Sequence, residues 1–209
     1  MAWLRPLWRG PRRHGLALDA LIDPGFVALD LETTGLDART DLVVAAAIIP
    51  VVGGEPRAGY VTLVNPGRTI PPAASAIHGI TDAMVESAPT IDEALRHIDR
   101  VAGRHLIVGH GVRFDIAILA RERLARGRRP PGNPILCTMR LAAVLNPGWS
   151  DVGLDAVADR LGIEIGGRHT AQGDAEAAAR VFLALLPAAR SRGARTLADL
   201  QWLDGSAAL

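Results

Sequence analysis

Five side chains in three separated clusters could do chemistry together. Asp30 and Glu32 stand two apart in the run Phe-Val-Ala-Leu-Asp-Leu-Glu-Thr-Thr-Gly-Leu at 26–36. Asp115 closes Val-Gly-His-Gly-Val-Arg-Phe-Asp at 108–115, and His169 and Asp174 frame His-Thr-Ala-Gln-Gly-Asp. Clustered carboxylates are hard oxygen ligands that suit magnesium or manganese better than zinc. Two such cations can clamp a phosphodiester, and an imidazole beside them can take a proton from an attacking water. The pattern predicts a metal-dependent nuclease.

Those residues need elements to hold them. Phe26–Leu31 is an apolar run bounded by Pro24-Gly25 and Thr34-Gly35, which reads as a buried strand. Residues two apart on a strand share a face, so Asp30 and Glu32 project together where the strand ends. Their repulsion calls for a cation, although a solvated acidic pair would need none. Asp115 follows a short strand at 105–108 and starts a helix running to about Arg126, where it is also an ordinary helix-start acid. Thr170 is an N-cap for an alanine-rich helix from about Ala171 to Leu186, with Pro187 expected to end it. Asp174 falls in its first turn. His169 precedes it on a loop, and alone it reads as a surface histidine.

The three clusters resemble the Exo I, Exo II and Exo III motifs of the DEDDh 3′-to-5′ exonucleases. That family contains the proofreading epsilon subunit of bacterial DNA polymerase III. Ala76-Ile-His-Gly-Ile-Thr81 and Cys137-Thr-Met-Arg-Leu-Ala142 are similar to two further family segments, so the likeness covers about Gly25 to Leu186. The resemblance implies a ribonuclease H-like α/β fold, a mixed central sheet flanked by helices. It implies two divalent cations, Mg²⁺ or Mn²⁺, on Asp30, Glu32, Asp115 and Asp174, with His169 as general base. It places Thr33, Thr34 and the Gly35 backbone around the terminal nucleotide, with Leu36 against the last base and His78 beside them. The implied partner is a single-stranded nucleic acid 3′ end, with a polymerase or other replication protein as a further candidate. DNA is the first expectation for the substrate and short RNA the alternative. A third reading is an inactive nucleic-acid-binding accessory, and the presence of all four acids and the histidine argues against it.

Three departures from the family pattern stand out. Gly111 replaces the asparagine of Gly-His-Asn, Val43-Val-Ala-Ala46 lacks the glutamate of Ile-Ile-Glu-Ile, and Cys137 stands where an aspartate is common. None removes a ligand or the base, so they bear on substrate grip rather than on chemistry.

A chain of 209 residues can bury one sizeable core. All of its basic residues are arginine, and the net charge of +1 gives no global attraction for nucleic acid, leaving that to local patches. The single cysteine excludes an internal disulfide. No apolar run is long enough for a membrane span and no signal peptide is evident, so a cytoplasmic protein is expected.

The expected organisation is a basic appendage at 1–23, an exonuclease domain at 24–187 and a C-terminal tail at 188–209. Trp3, Leu4, Leu7 and Trp8 could share a helix face within the appendage. Inside the domain, three strands (26–31, 42–52, 58–64) precede alternating strands and helices, and Thr90 with Glu93 forms a capping box for a helix ending at Gly103. The arginine run at 121–129 reads as a solvated helix end, with phosphate binding as the alternative. Leu197, Leu200 and Leu203 form an apolar-spaced piece that could dock on the domain or on a partner.

Overall fold

The computed structural model describes residues 17–21 and 25–205. The proposed helix face of Trp3, Leu4, Leu7 and Trp8, and most of the expected appendage, lie outside the described residues.

Among the described residues six strands form one mixed sheet: β1 (Phe26–Thr33), β2 (Val43–Val52), β3 (Glu55–Pro56), β4 (Tyr60–Leu63), β5 (Ile107–Gly109) and β6 (Ile135–Cys137). The order is β3-β2-β1-β5-β6, with β4 also paired to β2. β1 runs antiparallel to β2 and parallel to β5, which runs parallel to β6. The expected mixed central sheet is therefore present. β1 continues two residues past the expected Leu31, so Asp30 and Glu32 sit inside the strand, and its register shifts between Glu32 and Thr33. The third expected strand is shorter, and the Gly53-Gly54 turn leads first into β3.

The helices are α1 (Pro72–His78), α2 (Asp82–Val85), α3 (Ile91–Ala102), α4 (Arg113–Leu124), α5 (Thr138–Leu145), α6 (Leu154–Arg160), α7 (Ala171–Ser191) and α8 (Leu197–Leu203). The Thr90–Glu93 capping box starts α3 as expected, and Gly103 receives its end. Alternation along β1 sends Phe26 and Ala28 to one face, where they pack with Phe182 and Leu185 of α7. Val27, Leu29 and Leu31 go to the other, against Leu95 and Ile98 of α3 and Ile118 of α4. Phe26 and Phe182 meet edge to face at 5.0 Å.

In the C-terminal region one expectation is corrected and one open choice is decided. Pro187 does not end α7, which carries it inside and runs on to Ser191. The proline removes one backbone donor, but Leu185, Leu186 and Ala189 stay buried against the core and keep the helix on course. The piece at 197–203 is α8, and it docks on the domain: Leu197 and Leu200 are buried. Asp204, fully buried, accepts the Cys137 N–H at 2.8 Å, and its carbonyl accepts Arg140 Nε at 2.5 Å. At the other end Leu18 and Leu21 of a short 3-10 helix also enter the core.

Because Asp204 satisfies a buried backbone donor at the start of α5, Asp204→Ala should destabilise the fold by about 2 kcal/mol. Urea unfolding monitored by tryptophan fluorescence measures this. A change below about 0.5 kcal/mol would give that carboxylate no part in stability.

Candidate active site

Asp30 and Glu32 continue the Phe26–Ala28 face of β1, the face covered by α7, and Asp174 lies in the first turn of α7. One carboxylate oxygen from each of Asp30, Glu32 and Asp174 lies within 4.8 Å of the other two. Asp115 comes from the first turn of α4, on the opposite face of the sheet, and reaches the same strand end through hydrogen bonding at Leu31. It is buried, and its charge acts on Asp30. The structure thus brings together four acids from three elements.

The electrostatics are those of uncompensated negative charge. Burial pushes the Asp30 carboxyl well above its ordinary range, and Asp115, Asp174 and Glu32 push it further. Burial and then Asp174 raise Glu32 from 4.5 to about 7. Asp115 is raised from 3.8 to about 7 by burial and by Glu32, against two backbone hydrogen bonds that favour its ionised form. Burial raises Asp174 as well. A proton or a cationic group relieves such a cluster, and hard oxygen donors at this spacing fit a divalent cation.

One cationic side chain is already there. Arg168 pairs with Asp174 Oδ2, pairs with Asp155 at 2.6 Å, and places Nη1 3.1 Å from His169 Nδ1. A guanidinium can only donate, so Nδ1 is the acceptor and the ring proton sits on Nε2. The other Asp174 oxygen accepts the His169 backbone N–H at 3.3 Å. A cation on Asp174 therefore competes with Arg168.

His169 itself has φ +60°, a left-handed conformation uncommon outside glycine. The loop before it is seated by Gly173, where a Cβ would come within 2.2 Å of the Gly167 carbonyl oxygen. Thr170 caps α7 as expected, accepting the Gly173 N–H. The Gly-Asp pair in Gln-Gly-Asp thus has two jobs, close packing and charge, and the sequence signalled only the second.

The other expected site residues divide. Leu36 stands 89% exposed beyond the end of β1. The Thr34 hydroxyl is turned inward, donating to Asp41 Oδ1 at 2.8 Å and accepting from Leu42 N–H and Arg68, and the side chain is buried. Thr33 is also buried, its hydroxyl donating to the Gly35 carbonyl at 2.6 Å. His78 Nδ1 accepts the Ile80 N–H, and burial lowers the ring's pKa against the opposing influence of the Thr33 backbone.

His110, in the second motif, is structural. Its ring bridges Thr138 Oγ1 at 3.0 Å and the Val152 carbonyl at 2.9 Å, and burial lowers its pKa to about 4, so it stays neutral. Gly111 has φ +80°, which asparagine tolerates better than most residues, so this departure from the family pattern keeps the backbone shape. Ala45, in the run that lacks the family's glutamate, lies directly across from Glu32.

The arginine run at 121–129 is largely spent on internal pairs. Arg121 and Arg126 hold Glu122, Arg128 holds Asp92 and Arg123 holds Asp99. An open cavity of about 430 Å³ lined by Asn65, Arg68, Thr69, Asp82 and Glu86 includes none of the four clustered acids.

A family model described as Exonuclease (RNase_T) matches residues 27–182. A Rhodobacter capsulatus protein described as DNA polymerase III subunit epsilon-like is 46% identical over 176 residues, 82% of this chain and 25% of that one. The DNA polymerase III subunit epsilon of Aquifex aeolicus is 36% identical over 168 residues, 80% of this chain and 83% of that one. This chain therefore spans a quarter of the first relative and most of the second. Among solved structures, Exonuclease X in complex with 5′ overhanging duplex DNA superimposes with a TM-score of 0.69 at 26% identity, covering 86% of this chain and 99% of that one. E. coli Exonuclease I in complex with a dT13 oligonucleotide shares the fold, with a TM-score of 0.65 at 21% identity over 77% of this chain and 40% of that one.

Raised carboxylate pKa values mean that the native state holds protons more tightly than the unfolded chain. In the cation-free protein their stabilising contribution is full below the ordinary 3.8 and 4.5 and is lost as pH rises through about 7. His110 runs the other way, but its neutral ring has delivered its contribution by about its ordinary 6.5. With chelator, the melting temperature should fall between about pH 6.5 and about pH 8.5, and less so in Asp115→Asn. A flat wild-type profile would show that the acids are compensated by other means. Arg168→Ala should bind Mn²⁺ about fivefold more tightly by calorimetry, the equivalent of about 1 kcal/mol for a partly exposed competing ion pair. Weaker binding would make Arg168 a support for the cation rather than its competitor.

Proposed function

The chain belongs to the exonuclease family, and we propose that it is a 3′-to-5′ exonuclease acting on single-stranded or frayed DNA ends. The observation that carries this reading is the meeting of Asp30, Glu32 and Asp174, with Asp115 beside them, at the end of one strand. The Exonuclease X and epsilon likenesses support DNA as substrate, and a replicative polymerase is the candidate partner.

In this reading Glu32 and Asp174 would hold one divalent cation and Asp115 mainly a second, with Asp30 available to both. Mg²⁺ or Mn²⁺ fits the all-oxygen donor set. When bound, the two cations neutralise charge on the phosphate and make water easier to deprotonate. His169 takes the proton from the attacking water, which requires Arg168 to leave Nδ1. The water oxygen bonds to phosphorus as the bond to O3′ breaks, releasing a nucleoside 5′-monophosphate and leaving a strand with a new 3′ hydroxyl. Thr33, Thr34 and Gly35 act through the backbone around the terminal nucleotide, since both threonine hydroxyls are engaged internally. Leu36 meets the last base, with His78 behind Thr33.

The test is a time course on 5′-labelled single-stranded DNA and RNA of matched sequence, with Mg²⁺, Mn²⁺ or chelator. We expect a ladder shortening from the 3′ end, faster on DNA, absent with chelator and reduced at least about a thousandfold in Asp30→Ala. Full activity in chelator or in Asp30→Ala would end the proposal. Faster cutting of RNA would transfer it to an exoribonuclease.

A further inference from the structure

The segment between β1 and β2, residues 34–42, is tied down unusually well for a surface connection. Its centre is the Asp41 carboxylate. Oδ1 accepts the Thr34 hydroxyl at 2.8 Å and Arg68 Nη2 at 3.3 Å, and Oδ2 accepts the Asp37 N–H at 2.9 Å. Arg68 also donates to Thr34 Oγ1 at 2.9 Å and to the Thr40 carbonyl at 3.2 Å. From the opposite side Arg121 of α4 donates to the Ala38 carbonyl at 2.7 Å and to the Asp41 carbonyl at 2.5 Å. Glu122 steadies that guanidinium at 2.7 Å. The segment also closes tightly on itself, since a Cβ on Gly35 would stand 2.5 Å from Asp41 Oδ2.

Surface connections usually carry fewer restraints than the elements they join. Here the strand end, the 65–71 connector and α4 all converge on one short segment. Ala38 of the segment packs against the core, whereas Leu36 stands 89% exposed. One exposed leucine is unremarkable in itself. A leucine carried on a segment held by this network, a few residues beyond Asp30 and Glu32, is placed to work as a fixed edge. Separating a terminal base from its partner needs such an edge, because a yielding one would move aside before the stack opens.

We propose that Asp41 is a positioning residue: with Arg68 and Arg121 it fixes Leu36 against the terminal base pair, so that attack on duplex ends depends on the Asp41 carboxylate. The inference rests on the exonuclease reading and adds to it the determinant for paired ends. Asp41 touches neither substrate nor cation and acts through the segment it holds.

The experiment compares wild type, Asp41→Ala, Asp41→Asn, Leu36→Ala and the Asp41→Ala/Leu36→Ala double variant. Substrates are a short single-stranded oligonucleotide and a blunt duplex, both with 2-aminopurine at the 3′ end. Asp41→Ala should lower the duplex-to-single-strand rate ratio about tenfold, with the single-strand rate within about twofold of wild type. The double variant should match Leu36→Ala on duplex, because an edge already removed cannot be misplaced. Asp41→Asn keeps the shape and most acceptors and should recover part of the ratio. Equal losses on both substrates, or additive losses in the double variant, would overturn the inference. If wild type cuts neither substrate, the exonuclease reading fails. Fluorescence of the terminal 2-aminopurine on binding still tests the edge: wild type brightens the duplex end and Asp41→Ala does not. Equal brightening by both would overturn the inference without reference to activity.

Discussion

Mutual repulsion among Asp30, Glu32, Asp115 and Asp174 is the constraint around which the rest of this molecule is arranged. Four carboxylates at one strand end, each with its pKa raised first by burial, would part if their carriers could move. The carriers cannot. β1 lies inside the sheet between β2 and β5, and α7 and α4 are pinned to opposite faces by the two apolar clusters. Burial of ordinary hydrophobic surface thus supplies the force that holds charges where they oppose one another. This is stability spent locally to make a site that wants cations.

How near α7 comes to the sheet follows from small side chains. β2 contributes Ala45 and Ala47 to the face under α7, and α7 offers Ala171, Ala175 and Ala179 to the same cluster. Helix–sheet distance is set by the side chains between them, so larger residues there would lift Asp174 away from Asp30. Gly173 extends the argument to the loop before the helix, where the 166–167 backbone rests almost on the helix itself. The alanine-rich composition of this helix is a distance constraint as well as a propensity.

The readable parts of the fold were those governed by short-range rules. Period-two alternation made Asp30 and Glu32 a pair, the Thr90–Glu93 box started α3, and Thr170 capped α7. What stayed hidden were contacts between residues far apart in sequence. Nothing local marks Asp204 as the acceptor for Cys137, or Arg121 as a donor to Ala38 and Asp41. Pro187 misled because proline's local cost is real but smaller than the burial on either side of it. Arg168 was passed over although it adjoins His169, since an arginine in a loop has no pattern that distinguishes a solvated charge from one aimed into a carboxylate cluster. The arginine run at 121–129 read as a solvated helix end, with phosphate as the alternative, whereas its partners are Glu122, Asp92, Asp99 and backbone carbonyls.

The same charges settle the order in which ligands must arrive. A phosphodiester approaching four clustered acids is repelled, and a net charge of +1 over the whole chain offers no long-range attraction to offset that. Arg168, the positive group nearest the chemistry, is already committed to Asp155 and Asp174. Under the proposed reading, favourable binding of a strand end would therefore depend on divalent cations reaching the acids first or together with it. Cation affinity should in turn rise when a phosphate is present, because the coupling between the two ligands is reciprocal. Arg168 belongs to the same competition, since its Nη1 contacts both Asp174 Oδ2 and His169 Nδ1: a cation on Asp174 would remove the first contact, while Asp155 still holds the guanidinium. In the proposed reading, cation loading and the freeing of His169 would then be linked through one guanidinium and one carboxylate, Arg168 and Asp174.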